Sequence, residues 1–280
     1  MVVVHLIASP FFGGPERQLL GLIAGLPESY RSALLSFAEG GRCRPFLEEA
    51  RRMGFEAVEL EQNAPRYRAS VREVTGHLRR LRADVLCCHG YKPDILGLLA
   101  ARRAGIPVAA VSRGWTGATV KVRLNEALDR LCLRHMDRVV CVSEGQAVKV
   151  RRAGVPAARV AVIRNAIRAE RFDHTDPADR GRLIELFSTP PGRVVGAAGR
   201  LSPEKGFGVF IRAAGSIARA DPDVGFVLFG EGPLRADLTR QIATEGLEGR
   251  FLMPGFRDDL DRLIPHLDLL VLPSFTEGLP

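Results

Sequence analysis

Short apolar runs alternate with helix-forming segments along almost the whole chain, and this rhythm restricts the possible folds more than any other feature. Runs rich in valine, leucine and isoleucine are typical of strands buried on both faces, and helices between them are typical of parallel sheets. The sequence therefore predicts an α/β protein with doubly wound, Rossmann-like sheets. The predicted strands are Val2–Ile7, Ser32–Phe37, Phe55–Leu60, Asp84–Cys88, Val108–Ser112, Val139–Val142, Val160–Ile163, Val194–Ala198, Phe226–Phe229, Arg250–Met253 and Leu267–Leu272.

The length of 280 residues exceeds that of most single domains and suits two α/β domains. One polar stretch interrupts the rhythm, and we predict that it is a linker. The predicted boundaries are residues 1–170 for the first domain, 171–190 for the linker and 191–280 for the second domain. The predicted helices are Pro15–Gly25, Ser70–Leu81, Ile95–Arg103, Val120–Leu133, Gln146–Ala153, Gly206–Ala218, Leu234–Thr244 and Asp258–Ile264.

A junction between a strand and a helix in the second half has the pattern of a phosphate site. Arg200 follows the run Val194–Ala198 at the carboxyl end of that strand, where open α/β sheets bind ligands. The segment Ser202–Glu204 is typical of a helix start, so Lys205 is predicted on the first helical turn. Two cations beside a helix N-terminus predict an anion site. The alternative is that both cations are solvated surface residues.

Several longer segments resemble the family-4 retaining glycosyltransferases, which have the GT-B fold of two facing Rossmann-like domains. In the second half these segments are GAAGRLSPEKGFGVFIRAA, FVLFGEGPLRADL, FLMPGFRDDL and LDLLVLPSFTEGLP; in the first half they are GGPERQLL, HGYKPDILG and VVCVSEGQAVKVRRAGVPAARVAVIRNAI. They follow the order of the family and cover nearly the whole chain. The resemblance implies transfer of a sugar from a nucleotide-sugar donor with retention of configuration.

The resemblance implies three catalytic groups in the second half. Arg200 and Lys205 would stabilise the negative charge that develops on the departing diphosphate, and Glu277 would face the donor sugar. In the family this glutamate begins a pair, whose second member would fall at position 285, beyond the last residue of this chain. We therefore expect the second domain to be an incomplete donor-binding domain.

Further donor contacts are implied by the same motifs. A glycine pair, Gly13 and Gly14, would approach the donor diphosphate, and the loop that contains Arg257 would hold the nucleotide base. The other residues follow further strands. The complete set is Gly13, Gly14, Arg113, Glu231, Arg257, Gly278 and Leu279.

Two residues of the first half are predicted to face the cleft between the domains. His89 follows a strand, which suits a sugar-binding or proton-shuttling role, although a structural role is an equal alternative. Many family members carry a histidine after the next strand, where this chain has Arg113. We expect Arg113 to bind an anionic acceptor or a phosphate instead.

The chain shows no pattern for a metal or an organic cofactor. The triplet Asp259–Asp261 superficially matches the acidic triplet of metal-dependent transferases, but it lies where an acid-rich helix start is expected. Because two cations already face the diphosphate, we predict no metal and no cofactor, with the nucleotide-diphosphate sugar as donor substrate. The glycine patterns of dinucleotide-binding oxidoreductases and of P-loop NTPases do not occur.

The positive charge of the chain belongs to its first half. Residues 1–185 carry 30 basic and 20 acidic residues, whereas residues 186–280 carry 10 and 12. Such an excess favours an acidic acceptor or peripheral contact with anionic lipid over nucleic acid, because aromatic residues are only 6% and no nucleic-acid signature occurs. The densest basic cluster is Arg66, Arg68, Arg72, Arg79, Arg80 and Arg82.

Cysteine usage and hydropathy indicate the compartment. The five cysteines are an odd number without a C-x-x-C pair, which is typical of reduced thiols in a cytoplasmic protein. The first apolar run lacks a preceding basic region, and no apolar run reaches the ~18 residues of a membrane span. We predict a cytoplasmic protein, peripheral at the inner face of the membrane. The cysteines are Cys43, Cys87, Cys88, Cys132 and Cys141.

Three functions remain open from the sequence. The first is a hexosyltransferase that moves a sugar to a glycan or lipid-linked acceptor in cell-envelope or exopolysaccharide biosynthesis. The second is a truncated, non-catalytic nucleotide-binding remnant with weak activity or none. The third is a sugar-nucleotide epimerase on the same fold, but no convincing set of acid and base carboxylates supports it.

Overall fold

A computed structural model of the chain describes residues 1–115, 120–166, 169–173 and 176–276. The chain divides between residues 167 and 168 into two compact units, called unit 1 and unit 2 below. None of the described helices combines the length and the apolar character that crossing a bilayer requires.

Unit 1 contains a parallel sheet of seven described strands in the order β3-β2-β1-β4-β5-β6-β7. The strands are β1 (Val2–Ala8), β2 (Arg31–Phe37), β3 (Glu56–Leu60), β4 (Val85–His89), β5 (Val108–Ser112), β6 (Arg138–Cys141) and β7 (Val160–Val162). The helices are α1 (Gly14–Ala24), α2 (Arg44–Arg52), α3 (Tyr67–Arg80), α4 (Tyr91–Ala104), α5 (Val120–Leu133) and α6 (Glu144–Arg152). The seven strands predicted for this half are confirmed, with ends that differ by at most one residue.

Helices cover both faces of this sheet because its strands are apolar on both. Val4 and Leu6 of β1 pack in the core that includes α3, α4 and α5. Ile7 and Leu34 pack on the other face, in the core formed with α1 and α2. Alternate residues of a strand point to opposite faces, so a continuous apolar run fits a sheet buried on both sides.

Helix α2 was not predicted, because its sequence is dominated by charge. Five of its nine residues are arginine or glutamate. Its buried side chains are Phe46, Leu47 and Ala50, whose spacing forms one narrow apolar stripe. Tertiary packing of this stripe, rather than overall apolar content, therefore secures the helix.

Unit 2 contains a parallel sheet of four described strands in the order β10-β9-β8-β11. Its strands are β8 (Arg193–Ala198), β9 (Val224–Phe229), β10 (Phe251–Gly255) and β11 (Leu269–Leu270). Its helices are α7 (Pro177–Ile184), α8 (Phe207–Ala220), α9 (Arg235–Thr244) and α10 (Leu260–Leu263). Every residue of β9 is buried, which agrees with its position between β10 and β8. The predicted strand Leu267–Leu272 pairs with β8 only at two exposed residues.

The stretch 171–190 is not a simple linker, because it contains α7. Asp176 begins this helix by accepting a hydrogen bond from the N–H of Ala178 at 2.9 Å. Leu183 and Phe187 pack with Phe229 in the core of unit 2. A capping acid and proline at the helix start resemble loop composition, which explains the incorrect prediction.

The five cysteines are all free thiols, as the sequence predicts. Cys43, Cys88 and Cys141 are buried, and the other two are half-buried. Burial raises the pKa of the Cys87 thiol to about 12, so this side chain is a neutral, weakly polar packing group.

Candidate functional site

The site residues predicted in the first half come together at one edge of the unit 1 sheet. β1, β4 and β5 are neighbouring parallel strands, so their carboxyl ends lie side by side. Gly13 and Gly14 follow β1, His89 ends β4, and Arg113 follows β5 directly. This edge is the usual position of a ligand site in a doubly wound sheet.

The glycine pair begins α1, although only one of the two backbone N–H groups has a partner that the structure identifies. The N–H of Gly13 donates to Oε2 of Glu16 at 3.0 Å, so it already has an acceptor. A Cβ on Gly13 would lie 3.0 Å from the ring of Phe11. A Cβ on Gly14 would have nothing within 4 Å. Gly14 therefore borders open space at the start of the helix, where a ligand has room to approach.

His89 lies in a buried row of polar side chains rather than alone. Its Nε2 lies 3.1 Å from Nδ1 of His5, on the neighbouring strand. Its Nδ1 lies 3.3 Å from both terminal nitrogens of Arg113. His5 and His89 are 2% and 5% exposed, which leaves neither ring open to bulk water.

Burial sets the protonation of this row. It lowers the pKa of His5 to about 4 and the pKa of His89 well below its ordinary range, with Arg113 and His5 lowering the latter further. Both rings are therefore neutral at physiological pH. A neutral ring with its Nδ1 occupied by an arginine suits a positioning role better than the proton-shuttling role suggested for His89.

The same burial makes the stability of the fold depend on pH. As the pH falls through 6.5, the ordinary pKa of histidine, the unfolded chain takes up protons that the folded chain does not. Stability is full above that pH and declines toward pH 4, by about 3 kcal/mol for His5 alone. Urea unfolding at pH 7 and pH 4.5 measures this decline. Between pH 7 and pH 4.5, we expect His5→Asn to lose less stability than the wild type. The control is His135→Gln, which replaces an exposed histidine and should lose as much stability as the wild type. Equal losses in His5→Asn and wild type would contradict the assignment.

One group of possible metal ligands lies within this row. The ligand atoms of His5, Cys87 and His89 lie within 4.8 Å of one another. A metal-bound histidine normally donates its second N–H to an acceptor. Here Nδ1 of His89 faces the guanidinium of Arg113, which can only donate. A cation at that position disfavours a second cation, so the donor set does not fit a metal.

A buried pair of acids beside this row was missed by the sequence analysis. Asp94 of α4 and Asp129 of α5 are 2% and 4% exposed. Burial, and then Asp129, raises the pKa of Asp94 well above its usual range, so Asp94 carries the proton between them. Asp129 accepts a hydrogen bond from Nε1 of Trp115 at 2.8 Å. The sequence contains no clear signal for this pair, because both helices carry several other charged residues.

The second candidate edge lies in unit 2, where backbone contacts bind three loops together. The N–H of Gly199 donates to the carbonyl of Phe229 at 2.9 Å, and the N–H of Gly230 donates to the carbonyl of Gly255 at 2.8 Å. The N–H of Leu201 donates to the carbonyl of Glu231 at 2.9 Å. The loops after β8, β9 and β10 thus form one connected rim at the carboxyl edge of the sheet.

The two predicted catalytic cations lie on this rim. Arg200 follows β8 and is exposed, and among the described residues its guanidinium has no ion-pair partner. Lys205 is half-buried and lies in the 3₁₀ turn Pro203–Lys205, not on the first turn of an α-helix. Helix α8 begins only after Gly206, whose left-handed φ of 64° ends the turn. The sequence placed the turn correctly and mistook it for the helix start.

The side chain of Ser202 makes no capping bond, although a serine before Pro203 and Glu204 is typical of a helix cap. Its hydroxyl donates to Oε1 of Glu204 at 2.6 Å and lies 3.3 Å from the carbonyl oxygen of Arg200. These bonds stiffen the turn that carries Lys205.

Two residues predicted to contact the nucleotide, Glu231 and Arg257, form ion pairs with nearby residues of unit 2. Glu231 lies 3.0 Å from Nη1 of Arg235, in the first turn of α9. Arg257 forms a bidentate pair with Asp259, with distances of 2.8 and 2.6 Å. Asp259 therefore binds Arg257 and makes no capping bond to α10, which corrects the capping prediction for this acid. The side chain of Arg257 is held in place, and its loop presents backbone groups at the rim. Glu277, Gly278 and Leu279 lie outside the described residues.

Two family models match the chain. The family model "Glycosyl transferase 4-like domain" matches residues 13–166, and the model "Glycosyl transferases group 1" matches residues 192–280. The chain belongs to the glycosyl transferase 4-like family.

Curated relatives and solved structures extend the comparison. The chain is 28% identical to UDP-Gal:alpha-D-GlcNAc-diphosphoundecaprenol alpha-1,3-galactosyltransferase of Escherichia coli, over 99% of this chain and 74% of that protein. It is 30% identical to 2-deoxystreptamine glucosyltransferase of Streptomyces kanamyceticus, over 75% of this chain and 59% of that protein. HepE from Anabaena, solved with UDP and glucose, matches 98% of this chain and 74% of its own with a TM-score of 0.82 at 22% identity. The predicted α/β, GT-B-like fold class is confirmed.

Proposed function

We propose that this glycosyltransferase-family chain binds a UDP-hexose and transfers the hexose, with retention and without a metal, to a glycan or lipid-linked acceptor. The observation that carries the proposal is the position of Arg200 and Lys205 on the rim of unit 2. One cation lies two residues after β8 and the other lies in the adjoining turn, in the part of the chain matched by the group 1 family. Structures of a relative of the same fold, HepE, hold UDP and UDP-glucose.

The chemistry follows from the charges that develop when the sugar–phosphate bond breaks. Positive charge forms on the sugar ring and negative charge on the leaving diphosphate. Arg200 and Lys205 neutralise the diphosphate, which is the role that a divalent metal has in other transferases. No organic cofactor takes part, because the donor already carries its leaving group. Glu277 is proposed to face the donor sugar.

The proposed acceptor is lipid-linked, in cell-envelope or exopolysaccharide biosynthesis. The name of the Escherichia coli relative specifies a diphosphoundecaprenol acceptor. The predicted basic cluster of unit 1 is exposed along α3 and its ends, which suits peripheral contact with anionic lipid at the cytoplasmic face of a membrane. Co-sedimentation with liposomes that does not depend on anionic lipid would remove the membrane contact.

Calorimetry and NMR together test the donor chemistry. We expect UDP, UDP-glucose or UDP-galactose to bind the chain equally well with and without EDTA. We expect hydrolysis of the preferred UDP-hexose to release the α-anomer first, because retention preserves the donor configuration. Binding that disappears with EDTA would overturn metal independence, and initial release of the β-anomer would overturn retention.

A second candidate is nucleotide-sugar binding without transfer. The chain spans 74% of the length of the galactosyltransferase and 59% of that of the glucosyltransferase. Binding of UDP without detectable hydrolysis or transfer would select this candidate.

A further inference from the structure

We propose that Arg113 is the anion anchor of a second phosphate site, in unit 1, and that His5 positions it through His89. The inference deepens the proposed function and rests on it, because it assigns a phosphate of a transferase substrate to this edge. No motif of the sequence singled out His5.

The first step concerns the charge of Arg113. The residue is half-buried, and within the described part of the chain it forms no ion pair. Its terminal nitrogens contact an imidazole instead of a carboxylate, and its Nε is buried without a hydrogen-bond partner. A guanidinium that contacts a neutral ring and forms no ion pair can bind an anionic ligand.

The second step is the direction of the hydrogen bonds. Arg113 only donates, so Nδ1 of His89 accepts and the proton of this neutral ring is on Nε2. That Nε2–H donates to Nδ1 of His5 at 3.1 Å, which places the proton of His5 on its Nε2. The row therefore runs one way, from Arg113 through His89 to His5. It ends at Nε2 of His5, which is buried and has no partner among the described residues.

The third step is the surroundings of the guanidinium. Three groups act electrostatically on the guanidinium, namely Cys87, Glu16 and Asp94. Two of them are uncharged, because burial raises the pKa of Asp94 well above its usual range and that of Cys87 to about 12. The third, Glu16, accepts a hydrogen bond from the N–H of Gly13 and forms no ion pair with Arg113. The N-termini of α1 and α4 lie at the same edge, and their dipoles favour an anion. A Cβ on Gly14 or on Gly90 would have nothing within 4 Å, so both helix starts border open space.

The ligand chemistry is a phosphate or diphosphate group. It has two possible sources, the diphosphate of the nucleotide-sugar donor and the phosphate of a lipid-linked acceptor. Both sources present the same phosphate oxygens to Arg113. Binding experiments with a separate probe for each source therefore distinguish them.

The single tryptophan of the chain reports on this site, because Trp115 lies two residues from Arg113. We would titrate inorganic pyrophosphate into the 280-residue chain carrying Arg200→Ala and Lys205→Ala, which removes the predicted anion site of unit 2. The expected result is a saturable change in fluorescence that Arg113→Gln weakens at least about tenfold. The matched control is Arg102→Gln, an exposed arginine of α4 that should leave the titration unchanged.

Two pairs of variants test the positioning role. His5→Asn keeps an acceptor at the place of Nδ1, whereas His5→Phe removes it. We expect His5→Phe to weaken pyrophosphate binding by about threefold or more and His5→Asn to leave it unchanged. His89→Asn keeps the acceptor that faces Arg113, and His89→Gln keeps only the donor that faces His5. Loss of affinity in His89→Gln with retention in His89→Asn supports the row even if His5→Phe does not fold. NMR of the imidazole nitrogens should show the Nε2–H tautomer in both rings.

Several results would overturn the inference. They are unchanged pyrophosphate binding in Arg113→Gln, equal affinities within both variant pairs, or an Nδ1–H tautomer in His89. Titrations with UDP and with a short-chain polyprenyl phosphate identify the source, since Arg113→Gln should weaken only the probe whose phosphate it holds. If UDP fails to bind even the unaltered chain, the proposed function fails, whereas loss of the Arg113 effect alone removes only this site.

Discussion

Replacing Arg200 and Lys205 together by alanine should lower the turnover of UDP-hexose about 100- to 1,000-fold, the scale of lost electrostatic stabilisation of a leaving group. The reason is that the two cations act on charge that develops only as the sugar–phosphate bond breaks. Binding of the UDP-hexose should weaken less than turnover falls, because the diphosphate of the intact donor carries less negative charge on the bridging oxygen than the leaving group does. The measurement is the rate of UDP release from the preferred donor. Saturating donor gives kcat, and limiting donor gives kcat/KM.

The matched control for this double variant is Arg212→Ala, which removes an exposed arginine from the side of α8. It changes the net charge of unit 2 without changing the rim, so its turnover should equal that of the wild type. Thermal unfolding should show that the double variant remains folded. A folded double variant with wild-type turnover would exclude both cations from the chemistry.

Much of the fold could be predicted because strand signals in this chain are local and strong. The runs that became β1, β8 and β9 are apolar at nearly every position, and such short runs are typical of a strand buried on both faces. Helices were harder, since α2 and α7 depend on one narrow buried stripe within charged or loop-like sequence. Their formation is decided by tertiary packing, which composition does not report.

The sequence predicts which strand end carries each site residue, but it does not predict which side chains contact one another. Arg200, His89 and Arg113 follow the strands expected of them, because carboxyl ends of parallel strands share an edge. The contact between His5 and His89 could not be predicted, since it depends on which residues of β1 and β4 lie side by side. Register between strands distant in the sequence is set by the whole sheet. The pairing of Arg257 with Asp259 likewise depends on the path of one loop.

The rim of unit 2 is held by close backbone approach, and Gly230 is the position where this matters most. Its φ is 133°, a region that residues with a Cβ rarely adopt, and a Cβ there would lie 2.0 Å from the carbonyl oxygen of Gly199. Gly199 cannot withdraw easily, because its N–H donates to Phe229, and Gly230 is itself tied to Gly255. Substitution therefore adds a clash to the backbone strain.

Gly230→Ala should destabilise unit 2 by about 4 kcal/mol or more, because a clash between two fixed backbone segments is among the most damaging single changes. Gly246→Ala separates the two contributions, since Gly246 has a φ of 67° but a Cβ there would meet nothing within 4 Å. This control should lose only about 1 kcal/mol, the strain of the left-handed backbone. Hydrogen exchange should show loss of protection concentrated in β8, β9 and β10 of Gly230→Ala, while Trp115 still reports a folded unit 1. If both variants unfold at the same urea concentration, contact between the loops after β8 and β9 does not stabilise the rim, and Arg200 must be positioned by other contacts.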